Sequence, residues 1–175
     1  MDFIMVTPQQ IYQTETAPPF LTAMLGAVTP VTVVTTEGPA GRFGVTVSAF
    51  ASVCADPPMV LVCINSRSPA VTAIDQNGCF CVNLLGDTQT LVADCFSGRT
   101  DPSMAYEFGC ADWHSGATGA PILAHANANF DCLVENNYAA GTHRIFIGLV
   151  RDVLASKSAP LAYSKRSYQA VSPLT

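Results

Sequence analysis

Residues 42–69 decide the fold, and they read RFGVTVSAFASVCADPPMVLVCINSRSP. In the first half of this stretch the even positions carry hydroxyl groups at Thr46, Ser48 and Ser52, interrupted by Phe50. The odd positions carry small apolar side chains at Val45, Val47, Ala49, Ala51 and Val53. Because successive side chains of a strand point to opposite faces, the pattern predicts one strand over residues 44–54, with an apolar core face and a face of small donors and acceptors.

The second half of the stretch predicts a buried strand that ends in a polar corner. The strand covers about residues 58–64, and Ser68 and Pro69 then occupy the N-cap and first position of a helix. Free backbone N–H groups at a helix start, together with the charge of Arg67, favour an anion. The strand with its row of hydroxyl groups and the polar corner together indicate a site for a flat, phosphorylated cofactor. Alternatively, the hydroxyl row is only the solvated face of a barrel, and the corner is only an ordinary helix cap with an exposed arginine.

Composition limits the class of protein. The chain has 175 residues, of which 12% are charged, where about 25% is typical. We expect a single domain over residues 20–170, a flexible arm over 1–19 and a tail over 171–175. So few charges suggest a surface partly buried in an oligomer, although a monomer rich in Ser, Thr and Asn would fit as well. A net charge of −5 with only 8 Lys and Arg argues against nucleic-acid binding.

The seven cysteines favour structural free thiols over a disulfide framework or a metal site. Their number is odd and no Cys-x-x-Cys pair occurs, which fits a reducing cytoplasm. His114 and His125 have no partner at metal-ligand spacing, so no metal is expected. Cys63 and Arg67 lie too close in sequence for a phosphatase-type loop. Asp2 without a basic segment argues against a signal peptide, and no apolar run approaches the ~20 residues that span a membrane.

Short strands dominate the remaining pattern, with few helices between them. Helices are predicted over residues 20–28, 69–76 (closed by Gly78), 89–96 (capped by Thr88, closed by Gly98) and from Asp101; strands over 31–36, 44–54, 58–64, 79–84, 130–137, 144–154 and 161–163. This order is typical of a mainly β fold, a closed or Greek-key barrel with inserted helices. No Gly-x-Gly-x-x-Gly or Gly-x-x-x-x-Gly-Lys-Ser/Thr motif is present, so neither a Rossmann site nor a P-loop is indicated.

An ordered set of short motifs resembles the short-chain flavin reductases, the reductase halves of two-component flavin-dependent monooxygenases. The motifs are Val31–Thr36, Gly44–Ala49, Asp56–Pro58, Cys63–Ser68, Cys81–Asn83, Phe96–Gly98, Trp113, Ala117–Pro121, Phe130–Cys132, Gly141–His143 and Arg166–Tyr168. The resemblance covers roughly residues 20–170. It implies an FMN-binding split β-barrel of Greek-key type that forms a homodimer, with the flavin near the subunit interface.

The resemblance also implies a set of flavin-binding residues. They are Thr46, Val47, Ser48, Ala49, Ser52, Val53, Cys63, Asn65, Ser66, Arg67, Ser68, Phe96, Ser97, Gly98, His143 and Tyr168. The hydroxyl groups would contact ring and ribityl atoms, Val47 would contribute only its backbone, and Ala49 would let the ring approach closely. Arg67 suits the flavin phosphate because its planar fork pairs with phosphate oxygens. Phe96–Gly98 would lie by the flavin ring.

The resemblance gives His143 and Tyr168 more specific roles. His143 is the catalytic candidate: it would lie beside the flavin and position the nicotinamide amide, not act as an essential general base. Tyr168 would either cover the nicotinamide or pack at the C-terminus. Cys95 stands where most relatives carry an arginine, which removes a positive charge. Trp113 is expected in the core or an interface.

The predicted function is an NAD(P)H:flavin oxidoreductase that passes a hydride from nicotinamide C4 to flavin N5. FMN and FAD both remain open, and NADH is slightly favoured over NADPH because no arginine cluster marks a 2′-phosphate site. The partner would be a reduced-flavin-dependent oxygenase, reached by diffusing flavin. A non-enzymatic flavin- or haem-binding barrel and a ferric or cobalt reductase are the alternatives.

Overall fold

The computed structural model describes residues 17–174, so most of the predicted N-terminal arm and Thr175 lie outside the described residues. The helices are α1 (Ala17–Met24), α2 (Pro69–Asn77), α3 (Thr90–Phe96) and a 3₁₀ helix (Phe108–Cys110). The strands are β1 (Thr29–Pro30), β2 (Thr32–Thr36), β3 (Phe43–Val47), β4 (Phe50–Ala55), β5 (Pro58–Asn65), β6 (Cys79–Leu84), β7 (Trp113–Ser115), β8 (Pro121–Leu123), β9 (Ala128–Ala140), β10 (His143–Ala155), β11 (Leu161–Ser164) and β12 (Ser167–Ala170).

Seven strands form the main antiparallel sheet, in the order β3-β2-β6-β9-β10-β5-β4. Strands β3 and β4 follow one another in sequence but lie at opposite edges, so the sheet curls until the short link between them spans the gap. The amide of Cys63 on β5 donates to the Ala49 carbonyl at 3.0 Å, which extends the β4–β5 pairing into this link. The edges themselves are not paired, and the barrel stays split, which confirms the predicted fold class.

The single strand predicted over residues 44–54 is wrong. The structure breaks it at Ser48 and Ala49, where the chain crosses from one sheet edge to the other. The break also reverses the predicted faces: Val47 is buried as expected, but Phe50 then packs against the core and Val53 is 44% exposed. Alternation along a strand holds only while the strand is continuous.

Most other predicted elements are confirmed, with shifted ends. Helix α2 begins at Pro69 and closes at Gly78 in a left-handed conformation (φ 70°). Gln89, and not Thr88, occupies the N-cap of α3. Asp101 begins a turn instead of a helix, because its carboxylate accepts hydrogen bonds from the Ser103 amide and hydroxyl. Strands β7, β8 and β12 were not predicted, and β9 and β10 are longer than expected.

Two main apolar clusters stabilise the barrel. One fills the inside of the curled sheet and includes Val34, Val62, Ile74, Phe80 and Phe146. The other lies where α3, β8 and β11 cover the sheet, and includes Val33, Leu85, Phe96, Leu123 and Leu161. Within residues 17–174, no helix has the length and apolar character needed to cross a membrane.

Candidate functional site

Two cavities follow one another along β3. The corner cavity, of about 650 Å³, is lined by Arg42, Phe43, Gly44, Val45, Asn65, Arg67, Ser68, Pro69, Tyr106 and Glu107. The tyrosine cavity, of about 170 Å³, is lined by Val31, Thr46, Val47, Ser48, Ser97, Arg99, Tyr163 and Tyr168. β3 is an edge strand, so its outer backbone groups are not used by the sheet and can meet a ligand.

The polar corner between β5 and α2 is held by its own hydrogen bonds. The Arg67 amide donates to Asn65 Oδ1 at 3.0 Å, and the Ser68 amide donates to the Asn65 carbonyl at 2.9 Å. The Ser66 amide donates to the carbonyl of Thr142, in the turn between β9 and β10. These three amides are therefore committed within the corner, which is a pre-formed turn, and anion binding at the start of α2 stays a prediction.

Two side chains of the corner cavity are not engaged by the protein in a way that would exclude an anion. Ser68 sits at the N-cap of α2 but makes no side-chain cap hydrogen bond, so its hydroxyl is left for a ligand. Arg67 is exposed beside it, and Arg42 stands on another wall with its guanidinium 4.0 Å from the centre of the Phe108 ring. Arg42 is ion-paired with Glu37 at 3.5 Å, so Arg67 is the lining guanidinium without an ion pair among residues 17–174.

The predicted hydroxyl row is only partly available to a ligand. Thr46 is half-buried, and its hydroxyl donates to the Ala93 carbonyl of α3 at 2.7 Å. Ser48 lines the tyrosine cavity, next to the exposed Ala49. Ser52 and Val53 are exposed on β4 but line neither cavity. Val47 is 6% exposed, so any contact it makes with a ligand is through its backbone, as predicted.

The Phe96 side chain packs in the core behind β3 and does not face either cavity. Its ring is fully buried and packs on the rings of Phe108 and Trp113, with centroids 5.0 and 5.5 Å away. A Cβ added to Gly44 would come within 2.5 Å of this ring, so glycine lets β3 lie directly on it. Any contact of Phe96 with a flavin would therefore be through its backbone, and the predicted position of Phe96–Gly98 beside the flavin ring stays a prediction. Trp113 is a core residue on the same evidence.

The neighbours of Phe96 lie closer to the cavities. Ser97 lines the tyrosine cavity, and Gly98 turns the chain with φ 72° where an added Cβ would meet the Tyr106 hydroxyl at 2.7 Å. Cys95 is buried, and its thiol donates to the Met104 carbonyl. A neutral, internally bonded thiol thus occupies the position where an arginine was expected in relatives.

Tyr168 is half-buried and lies in the wall of the tyrosine cavity. Its hydroxyl donates to Asp94 Oδ1 at 2.6 Å, and its ring meets the Tyr163 ring at a centroid distance of 5.6 Å. Burial, followed by the hydrogen bond to Asp94, raises the pKa of Tyr168 to about 12. The hydroxyl therefore remains a hydrogen-bond donor at neutral pH.

His143 opens β10 directly opposite Asn65 of β5. It is exposed, and its Nδ1 lies 2.9 Å from Thr142 Oγ1. It lines neither cavity but lies next to the corner. Cys63 is half-buried on the outer side of β5, and burial raises the pKa of its thiol, which disfavours a nucleophilic role.

The sequence interpretation missed several cavity residues, among them Arg42, Arg99, Tyr106, Glu107 and Tyr163. Arg42 opens the decisive stretch, and Arg99 directly follows the Ser97-Gly98 motif, so both could have been flagged by position. Tyr106 and Glu107 reach the corner cavity only through the folding of residues 99–107, for which the sequence carries no local signal.

Comparison with known proteins gives a consistent result. Residues 24–172 match the family described as "flavin reductase like domain". The chain is similar to "FMN reductase (NADH) RutF 1" of Methylorubrum extorquens, with 42% identity over 86% of this chain and 74% of that protein. A crystal structure described as "a putative flavin reductase" from Haemophilus somnus superposes with a TM-score of 0.82 at 35% identity, over 89% of this chain and 99% of that chain. BorF, the flavin reductase component of a bacterial two-component tryptophan halogenase, superposes with a TM-score of 0.78 at 29% identity, over 90% and 99% of the two chains.

Proposed function

The chain belongs to the flavin reductase-like domain family, and from this we propose that it is an NADH-dependent flavin reductase whose corner cavity binds the flavin phosphate. The observation that carries the proposal is that Arg67, which forms no ion pair within residues 17–174, and the uncommitted Ser68 hydroxyl line the same cavity. The RutF relative, named as an NADH-dependent FMN reductase, supports the same activity.

The corner cavity fits a flavin in size and in the placement of its polar groups. Its volume of about 650 Å³ lies in the range of roughly 300–1,000 Å³ that is usual for small-molecule sites. The phosphate would lie at Arg67 and Ser68, and the rest of the molecule would extend along the open edge of β3 toward Ser48. FMN and FAD share this phosphate, and the name of the RutF relative favours FMN.

A bound flavin supplies the acceptor for a hydride, so that NADH, a proton and the oxidised flavin give NAD⁺ and the reduced flavin. The protein contributes binding and orientation. Arg67 and Ser68 hold the phosphate, the β3 edge orients the ring, and His143, next to the corner, hydrogen-bonds the electron donor. No proton has to be removed from NADH, so His143 orients the donor and is not required as a base.

The protein is proposed to form a homodimer through the outer face of β5 and β10. Met59, Leu61 and Cys63 on this face pair with Leu149, Ile147 and Ile145. They alternate with core residues such as Val62 and Phe146, and none of them belongs to the core clusters of the described residues. Partly exposed, contiguous apolar surface of this kind marks a protein interface. Since His143 and Asn65 end the same face, the second copy would approach the corner cavity.

The physiological partner is proposed to be an oxygenase component that takes up reduced flavin. BorF, a structural neighbour, is the reductase of a two-component halogenase, which supports a comparable division of labour. A cytoplasmic location fits the seven free thiols, since such thiols stay reduced there.

The experiment that tests the proposed function monitors NADH oxidation by purified protein with added FMN, FAD or riboflavin, and repeats the series with NADPH. Turnover that depends on flavin and is faster with NADH supports the proposal. A folded protein that binds FMN without turnover would indicate the non-enzymatic flavin-binding barrel instead.

A further inference from the structure

The tyrosine cavity is too small for a complete cofactor. Its volume of about 170 Å³ lies below the roughly 300 Å³ at which whole small-molecule sites begin. It is lined by Tyr163 and Tyr168, by Ser48 and Ser97, and by the end of β3. A space of this size and lining takes one aromatic ring of a larger ligand, whose remainder must lie outside the cavity.

Arg99 stands at the mouth of this cavity and forms no ion pair within residues 17–174. Gly98, in its left-handed conformation, ends α3 and turns the chain so that Arg99 lines the cavity while remaining exposed. Its Nη2 donates to the Tyr163 hydroxyl at 3.3 Å. In the same described range, the ion pairs within 4.0 Å join Arg42 to Glu37 and Arg144 to Asp75, and neither includes Arg99.

The carboxylate of Asp94, at the end of α3, is already engaged. Asp94 accepts the Tyr168 hydroxyl at 2.6 Å, and its backbone carbonyl accepts the Arg99 amide at 2.9 Å. Asp94 thus accepts a hydrogen bond from Tyr168 and lies outside the cavity lining, and the one hydrogen bond that the Arg99 guanidinium makes within residues 17–174, to Tyr163, leaves most of its donors to a ligand. Such an arginine, held against a tyrosine ring beside a ring-sized cavity, suits a ligand whose aromatic ring carries a phosphate one sugar away.

We propose that Arg99 binds the phosphate next to the nicotinamide ribose of NADH, while the dihydronicotinamide ring enters the tyrosine cavity. This inference rests on the proposed function, because it names how that activity recognises its electron donor. The flavin phosphate and the NADH phosphate are then held by different arginines, Arg67 and Arg99, on the two cavities along β3. Arg99 is a specificity residue for the donor and has no part in binding the flavin.

The test uses three electron donors that share the dihydronicotinamide riboside but differ in the groups attached to it: NADH, reduced nicotinamide mononucleotide, which lacks the AMP half, and dihydronicotinamide riboside, which lacks phosphate. For Arg99→Gln we expect the KM for NADH and for the mononucleotide to rise about tenfold, as for loss of a charge-assisted hydrogen bond. The KM for the riboside and the Kd for FMN should stay unchanged. Arg99→Lys should recover part of the loss, and Arg151→Gln, at an exposed position of β10, should behave as wild type.

Three results would overturn the inference. If Arg99→Gln raised the KM for NADH alone, Arg99 would contact the AMP half. If it raised the KM equally for all three donors, the role of Arg99 would be structural. If it raised no KM, Arg99 would not belong to the donor site. If the wild-type protein oxidises none of the donors with any flavin, the proposed function fails instead, so the two failures are distinguishable.

Discussion

Arg67 and Ser68 show how single side chains prepare a binding site before a ligand arrives. The backbone groups of the corner are hydrogen-bonded within the protein, which fixes the turn. The Ser68 hydroxyl, at the N-cap of α2, makes no capping hydrogen bond. A rigid turn with uncommitted side chains lowers the cost of ordering the site on binding.

Replacing Arg67 by glutamine should weaken FMN binding about tenfold, since the charge-assisted hydrogen bond to phosphate is lost. Riboflavin has no phosphate, and its affinity should not change. The Kd values for FMN and for riboflavin can both be measured by adding protein to the flavin and monitoring the flavin fluorescence. Equal weakening of FMN and riboflavin would mean that Arg67 shapes the corner and does not bind phosphate.

Replacing His143 by alanine should raise the KM for NADH or lower kcat, roughly two- to tenfold, as for loss of one neutral hydrogen bond. The Kd for flavin should stay nearly unchanged, because His143 lines neither cavity. Steady-state kinetics and flavin titration measure the two effects separately, with His114→Ala as the matched control at another exposed histidine. Loss of flavin from the His143 variant would show that its assigned role is wrong.

Strand β3 owes its position to the absence of a side chain at Gly44. The strand rests on the buried Phe96 ring, which is itself held by Phe108 and Trp113. The corner cavity and the tyrosine cavity both use β3 as a wall, so this packing sets the geometry of both.

Gly44→Ala should therefore destabilise the protein by about 1–3 kcal/mol, the usual cost of overpacking a filled core. Gly109→Ala is the matched control, because an added Cβ there meets nothing within 4 Å; we expect a change within about 0.5 kcal/mol. Urea unfolding measures both. If the two variants unfold alike, β3 can move away from Phe96 more easily than the packing indicates.

The assembled protein is expected to be a dimer that buries the outer face of β5 and β10. Ile147 lies within this face, opposite Leu61. An arginine at position 147 would place an unpaired charge in the interface, so Ile147→Arg should shift the protein to monomer in sedimentation experiments. Gln76→Arg, on the exposed side of α2, should leave the oligomeric state unchanged. A wild-type protein that sediments as a monomer would contradict the proposed interface.

The sequence predicted the mainly β fold and most elements because their signals are local. The β-branched run at Val31–Thr36 favours a strand, and Pro69 and Gly78 mark the start and the end of a helix. It predicted that Arg67 and Ser68 would serve the site, since both lie in one turn. It could not predict the break at Ser48, which arises because the chain crosses there from one edge of the sheet to the other. For the same reason the sequence does not predict that Arg99 and Tyr163 line a cavity, because their positions depend on contacts with distant elements.

The most direct test mixes FMN-bound protein with one equivalent of NADH in the absence of oxygen and monitors the flavin absorbance. Our account predicts rapid bleaching of the FMN with one NADH consumed per flavin, and return of the colour when oxygen is admitted. Bleaching no faster than that of free FMN with NADH, in a protein that binds FMN, would contradict the assignment as a flavin reductase.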